Sequence, residues 1–106
     1  MVQDVLNNNL EAVNAAEVAI VDFNATWCGP CKMLAPILEQ VSEETADRGW
    51  KFFSVDVDEN EELAKKFGIV SVPTVFILKK GEREGLISGF MPKDMLIAQI
   101  EGKLNG

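Results

Sequence analysis

Two kinds of apolar pattern alternate along this chain, and their order limits the folds that it can adopt. Short β-branched or alternating runs, which are typical of strands, lie at 17–23, 51–58, 74–78 and 84–88. Stretches with apolar residues at helical spacing lie at 7–16, from Gly29 past Val41, at 60–67 and from Pro92 to Leu104. With an optional strand before the first helix, the predicted order is βαβαβαββα.

This order predicts an α/β fold built on one mixed sheet. Strands that are joined through helices are expected to run parallel. The tight turn at Lys80-Gly81 makes the last two strands an antiparallel hairpin. We therefore expect a central mixed β-sheet, with parallel strands plus a C-terminal antiparallel hairpin, flanked by helices on both faces.

The length and composition fit a single domain that spans residues 1–106. A chain of 106 residues that is 47% hydrophobic and 25% charged has enough apolar material for one core. A chain of this size buries roughly two thirds of its unfolded surface on folding, so it needs no disulfide to hold it together. Its two cysteines are free for another task, and a lone C-x-x-C in a thiol-poor chain suits a reducing compartment.

The charge of the chain argues against two classes of partner. It has 17 acidic residues against 10 basic ones and a net charge of −7, whereas nucleic acids and anionic membranes attract basic surfaces. The apolar runs are far too short to span a bilayer, and the N-terminus lacks the basic region that opens a secretory signal. We therefore expect a soluble cytoplasmic protein that binds neither nucleic acid nor membrane.

Cys28-Gly29-Pro30-Cys31 lies where the 17–23 strand ends and the long helix begins. The first N–H groups of a helix have no intrahelical partner, and the helix dipole places about half a positive charge there. A sulfur at this end is stabilised as a thiolate, and residues three apart on the first turn are close enough to bridge. Pro30 fits because the first turn needs no N–H, and Gly29 removes bulk beside the attacking sulfur. We predict that Cys28, at the cap, is the exposed nucleophile and that Cys31 is the buried resolving thiol.

Other interpretations of the cysteine pair remain open from its spacing alone. The pair could form a static disulfide, or it could be an inert pair of core residues. A zinc site is disfavoured, because zinc prefers four ligands and the chain offers two thiols and no histidine. Only a dimer that shares two cysteine pairs would supply enough ligands. We expect no resident metal and no cofactor.

The stretch around the cysteines resembles the active site of the thioredoxin family. The resemblance covers nearly the whole chain, and W-C-G-P-C-K with a later V-P-T is highly specific. The motifs that appear in the family's order and spacing are Asp22-Phe23, Ala25-Thr26-Trp27-Cys28-Gly29-Pro30-Cys31-Lys32-Met33, Pro36, Val55-Asp56-Val57-Asp58, Gly68-Ile69, Val72-Pro73-Thr74, Lys80-Gly81 and Gly89. The resemblance implies the thioredoxin fold, and the Gly-Pro dipeptide is similar to that of the reducing members.

The resemblance also implies a surface that binds client proteins. The Val72-Pro73 peptide bond is expected to be cis and packed against the cysteines, and the Val72 backbone is expected to pair with an extended substrate segment. The residues implied for an apolar rim around the sulfur are Trp27, Gly29, Pro30, Val57, Val72, Gly89 and Phe90. For Trp27 the alternative is ordinary core packing.

Asp22 is the one charged residue in the apolar run Ala19–Phe23. An unpaired buried carboxylate is costly, so Asp22 either faces solvent at an edge or has a task. The resemblance implies a buried acid/base that moves protons to and from Cys31, with a pKa raised by desolvation. The chain departs from the family at Asn24, where an aromatic residue is common, and at Ser54, where many members have a lysine. We expect burial of the carboxyl group to outweigh both departures.

The predicted function is the reduction of disulfides in client proteins. The resemblance implies that a flavin-dependent thioredoxin reductase then reduces the cysteine pair again, and we expect the protein to be a monomer. One alternative is a binding module that uses the same rim while its thiols are incidental. An oxidase or isomerase, which would differ in redox potential, is another. Loss of Cys28 separates the reductase from the binding module, because the module would keep its binding.

Overall fold

The computed structural model describes residues 1–105, in which strands and helices alternate as predicted. The elements in chain order are β1 (Val2–Asp4), α1 (Glu11–Ala15), β2 (Val18–Asn24), α2 (Gly29–Glu44), β3 (Trp50–Asp56), α3 (Glu61–Lys66), β4 (Thr74–Lys79), β5 (Glu82–Ser88) and α4 (Lys93–Asn105). A short 3-10 turn at Ala46–Arg48 links α2 to β3. No helix within the described range is long and apolar enough to cross a membrane.

The strands form a mixed sheet in the order β1-β3-β2-β4-β5. β1, β3 and β2 run parallel, whereas β4 is antiparallel to β2 and β5 is antiparallel to β4. The predicted mixed sheet with its C-terminal antiparallel hairpin is confirmed. The expectation that every strand joined through a helix runs parallel is wrong for β4.

The connection from β3 to β4 explains this difference. α3 has six residues and is therefore about 9 Å long, whereas the seven residues of β3 span about 20 Å. The helix covers less than half of that span, so α3 by itself does not carry the chain back to the end of the sheet where β3 began. The chain enters β4 near the end at which β3 stopped, and on the way Val72 packs against the cysteine pair.

Helices cover both faces of the sheet, as predicted, and each face has its own apolar core. The core under α1 and α3 is rich in phenylalanine and contains Phe23, Phe53, Phe67 and Phe76. The core under α2 and α4 is largely aliphatic and contains Ile20, Leu34, Leu38, Val75, Ile77, Leu96 and Ile100. Because side chains alternate along a strand, β2 contributes to both cores, and Asp22 lies on the same face as Ile20.

The first helix is shorter than predicted. α1 covers five residues, whereas the pattern predicted a helix over 7–16. Asn7 and Asn8 have φ angles of 54° and 57°, so they form a left-handed turn that cannot continue a right-handed helix. Lys80 and Gly81 also have positive φ angles, 52° and 82°, as expected for a two-residue turn between antiparallel strands.

Candidate active site

The cysteine motif joins the end of β2 to the start of α2, as predicted. Cys28 is the cap residue of α2, with extended backbone angles, and the helix itself begins at Gly29. The Sγ atom of Cys28 accepts a hydrogen bond from the backbone N–H of Cys31 at 3.2 Å. One of the unpaired N–H groups at the helix start thus has a sulfur acceptor, and Pro30 in the first turn has no N–H to satisfy.

Cys28 and Cys31 form a disulfide, and their Cα atoms are 5.3 Å apart. The two residues are almost equally covered, since Cys28 is 5% exposed and Cys31 is 4% exposed. The prediction that Cys28 is exposed is therefore wrong in this disulfide form. The cover comes from Ala25, Val57 and Val72, and the carbonyl oxygen of Val72 lies 3.7 Å from the Cys28 Sγ atom.

Gly29 and Pro30 lie at the surface beside the disulfide. A Cβ atom at Gly29 would meet no atom of the chain within 4 Å. The packing of the protein itself therefore does not require glycine at this position. A requirement for a small residue would come from a molecule that approaches the sulfur.

Of the predicted apolar rim, two valines lie directly on the cysteines. Val57 and Val72 pack against them, and the Val72–Pro73 peptide bond is cis. Gly89 has a φ angle of 84° and donates its N–H to the carbonyl oxygen of Pro73 at 2.9 Å, which brings the end of β5 to the same region. Phe90 follows Gly89 and is exposed.

Trp27 lies on the surface and not in a core, because it is 70% exposed. Its indole Nε1–H donates a hydrogen bond to Asp58 Oδ2 at 2.9 Å. Asp58 is a neighbour of the site that sequence reasoning missed. The parallel pairing of β2 with β3 was the available signal: Asn24 lies opposite Asp56, so residues just beyond both strands share one edge of the sheet.

Asp22 is buried, and its pKa is raised, as predicted. The residue is 3% exposed, and desolvation raises the pKa of its carboxyl group from 3.8 to about 6, while a hydrogen bond from Asn24 lowers it. The increase in the Asp22 pKa that burial causes is therefore larger than the decrease that the Asn24 hydrogen bond causes. One carboxyl oxygen, Oδ1, has no hydrogen-bond partner within residues 1–105. A pKa near neutrality suits a group that exchanges protons.

Asn24 and Ser54, the two positions that depart from the family pattern, lie beside Asp22. The Nδ2 atom of Asn24 lies 3.1 Å from Asp22 Oδ2, 3.1 Å from the Asp22 carbonyl oxygen and 2.8 Å from Ser54 Oγ. Its two hydrogens are thus shared among three acceptors. These three residues and Cys31 line one cavity of about 550 Å³. The buried acid and the second cysteine therefore face a common space.

The side chains of this site offer sulfur and carboxylic acid chemistry. In the part of the chain that the structure describes, no group of three or more His, Cys, Asp or Glu side chains is placed to hold a metal ion. The two cysteines can take up and release two electrons as a pair, and the carboxyl group of Asp22 can hold a proton.

Comparisons with known sequences agree with this geometry. The family model described as Thioredoxin matches residues 2–102. The thioredoxin of Bacillus subtilis is 44% identical over 90 residues, which cover 85% of this chain and 86% of that protein. The thioredoxin of Listeria monocytogenes is 42% identical over 96 residues, which cover 91% of this chain and 92% of that protein.

Solved structures lead to the same family. The thioredoxin of Malassezia sympodialis matches with a TM-score of 0.85 at 34% identity, over 97% of this chain and 90% of that chain. The chloroplastic thioredoxin z matches with a TM-score of 0.81 at 36% identity, over 99% of this chain and 96% of that chain. The disulfide at the cap of the longest helix and the similarity to these relatives lead to one conclusion. The chain belongs to the thioredoxin family of thiol–disulfide oxidoreductases, which act on disulfide-containing proteins.

Proposed function

We propose that Cys28 attacks the client disulfide and that Cys31 resolves the mixed disulfide that results. The observation that carries this order is the place of Cys28 at the cap of α2, where its Sγ atom accepts the Cys31 N–H at 3.2 Å. In the reduced protein this N–H and the helix dipole favour the thiolate form of Cys28. Exposure does not distinguish the two residues, so the support for this order is electrostatic.

The reaction transfers two electrons from the dithiol to the client. The Cys28 thiolate attacks one client sulfur, a mixed disulfide forms, the client S–S bond breaks, and the leaving client thiolate takes up a proton. Cys31 then loses its proton, attacks the Cys28 Sγ atom and displaces the second client sulfur, which is protonated in turn. The client leaves as a dithiol, and the protein keeps the Cys28–Cys31 disulfide.

Asp22 accepts the proton of Cys31 in the second step. Three observations support this role: the carboxyl group is buried, its pKa is raised to about 6, and it lines the same cavity as Cys31. A carboxylate with this pKa is mostly ionised at neutral pH and is a stronger base than an exposed aspartate.

Clients bind across the surface around Val72. Among residues 1–105 no backbone hydrogen bond engages the Val72 N–H, and the Val72 carbonyl lies beside the Cys28 sulfur. An extended client segment therefore finds a free N–H next to the attacking atom, as in the addition of a strand to a sheet edge. The residues proposed to contact the client are Trp27, Gly29, Pro30, Val57, Val72, Pro73, Gly89 and Phe90.

A flavin-dependent thioredoxin reductase regenerates the dithiol. Residues 1–106 form a single domain, and the protein acts as a monomer in the cytoplasm. Membership of the thioredoxin family supports the reductase. The thiol-poor composition supports a reducing compartment. The net charge of −7 supports a monomer, because like charges keep copies of a chain apart.

Trapping and alkylation test the order of attack. Cys31→Ser retains the nucleophile and should accumulate a mixed disulfide with insulin, whereas Cys28→Ser should not. Brief alkylation of the reduced wild-type protein at neutral pH should label Cys28 before Cys31, as read by mass spectrometry of the peptides. Faster labelling of Cys31, or trapping by Cys28→Ser, would reverse the two roles.

A further inference from the structure

The side chain of Asn24 bridges two strands next to Asp22. Its Nδ2 atom donates to Asp22 Oδ2 at 3.1 Å and to Ser54 Oγ at 2.8 Å, and Asp22 and Ser54 are cross-strand partners in the β2–β3 register. We refer to the Asn24 and Ser54 side chains as the amide bridge. Within the described residues, no other side chain donates a hydrogen bond to the Asp22 carboxyl group.

We propose that Asn24 is a positioning residue for the proton step: its amide, braced by Ser54, holds Oδ2 of Asp22 and leaves Oδ1 to the cavity that Cys31 also lines. This inference rests on the proposed role of Asp22 as the proton acceptor. The terminal torsion of an aspartate is broad, so a fixed donor on one oxygen sets the orientation of the carboxylate plane and with it the direction of the other oxygen.

Other charged groups line the same cavity without reaching the Asp22 carboxyl group. Asp4 comes from β1, and Lys32 and Glu39 come from α2. In the described part of the chain none of these three forms a hydrogen bond or an ion pair with Asp22. β4 places Val75, which is apolar, opposite Asp22. The amide bridge is therefore the contact that orients the carboxyl group.

Ser54 acts on Asp22 through Asn24. Its Oγ atom accepts a hydrogen bond from the Asn24 amide. This bond favours the amide orientation in which the NH₂ group points toward the Asp22 carboxyl group. Replacement of Ser54 should make the Asn24 side chain more mobile and so affect Asp22. In a variant that already lacks the Asn24 amide, the same replacement should have no further effect on Asp22. This dependence distinguishes a bridge from two polar neighbours that act independently.

NMR titration of the Asp22 carboxyl carbon tests the bridge in the oxidised full chain, which has no titrating thiols. Asn24→Ala should raise the midpoint by about one pH unit, because a hydrogen bond to the charged form is lost. Ser54→Ala should raise it by less, and the double variant should match Asn24→Ala. Thr26→Ala is the control, because Thr26 lines the same cavity but makes no hydrogen bond to the bridge; it should not move the midpoint.

Single-turnover reduction of insulin by the reduced variants supplies the functional measurement. Asn24→Ala should raise the pH of half-maximal rate by the same amount as the titration midpoint. An unmoved midpoint and pH profile in Asn24→Ala would overturn the proposal, and so would a Ser54→Ala shift that adds to that of Asn24→Ala. If Asp22→Asn reacts as fast as the wild type, the proton role fails and this inference with it. If the bridge alone is wrong, Asp22→Asn stays slow.

Discussion

The two cysteines of the disulfide are almost equally buried, yet they face different surroundings. The Cys28 sulfur lies at the helix cap against the Val72 carbonyl, whereas Cys31 lines a cavity that it shares with a buried acid. An electropositive helix end suits a sulfur that attacks as a thiolate. A neighbouring base suits a sulfur that must first lose a proton. Burial does not distinguish the two cysteines, and the roles proposed for them rest on the chemical nature of their surroundings.

Removal of the sulfur at the helix cap should have the largest effect on activity. Cys28→Ser should reduce insulin no faster than dithiothreitol alone, because a serine hydroxyl does not exchange with disulfides. Turbidity of the reduced insulin chains measures the rate. Thr26→Ser is the matched control and should keep the wild-type rate. Appreciable turnover by Cys28→Ser would show that the two sulfurs are interchangeable.

Asp22→Asn tests the role of the buried acid that shares a cavity with Cys31. The single-turnover rate at neutral pH should fall by about 100-fold if Asp22 is the proton acceptor for Cys31, as proposed, because the substitution removes that group. The wild-type rate should also fall as the pH drops through about 6, where Asp22 becomes protonated. This inflection should be missing in the variant. Equal rates in the two proteins would make Asp22 a structural residue.

The same substitution should stabilise the protein at neutral pH. The pKa of Asp22 is about 6 in the folded protein, against 3.8 for an ordinary exposed aspartate, so the protonated acid favours folding at low pH. This contribution is lost as the pH rises through the folded value. Asp22→Asn should therefore raise the free energy of unfolding by about 2 kcal/mol at neutral pH, somewhat less than the full linkage value, because the amide also buries a polar atom.

Urea unfolding at neutral pH and below about pH 4 measures this effect, and the gain should vanish at the lower pH. A variant that is less stable than the wild type at neutral pH would contradict the desolvation of the carboxyl group.

The smallest expected effect lies on the client side, at the Trp27–Asp58 hydrogen bond. Asp58→Ala should raise the KM for insulin by about threefold and leave kcat unchanged, because an unrestrained indole loses more freedom on binding. Glu59→Ala is the matched control, since Glu59 is exposed, acidic and adjacent but makes no bond to Trp27. A change in kcat would place Asp58 in the chemistry and not in client binding.

Local features of this site were predictable from sequence, and features that depend on distant elements were not. The cap position of Cys28 follows from Gly-Pro at a helix start, and the raised pKa of Asp22 follows from its apolar flanks. The burial of Cys28 needs Val57 and Val72, which arrive from two later segments. The antiparallel direction of β4 is set by its pairing with β2, a strand far away in the sequence, and no local pattern indicates it.

β2 lies in the interior of the sheet, paired with β3 on one side and β4 on the other, and it leads directly into the cysteine motif. Backbone amides in such a strand exchange with deuterium mainly when the whole fold opens. Their exchange rates therefore report the free energy of global unfolding under native conditions. Measured in the oxidised and the reduced protein, they give the difference in stability between the two forms. Through a thermodynamic cycle with the unfolded chain, this difference is the contribution that the fold makes to the reduction potential of its own disulfide.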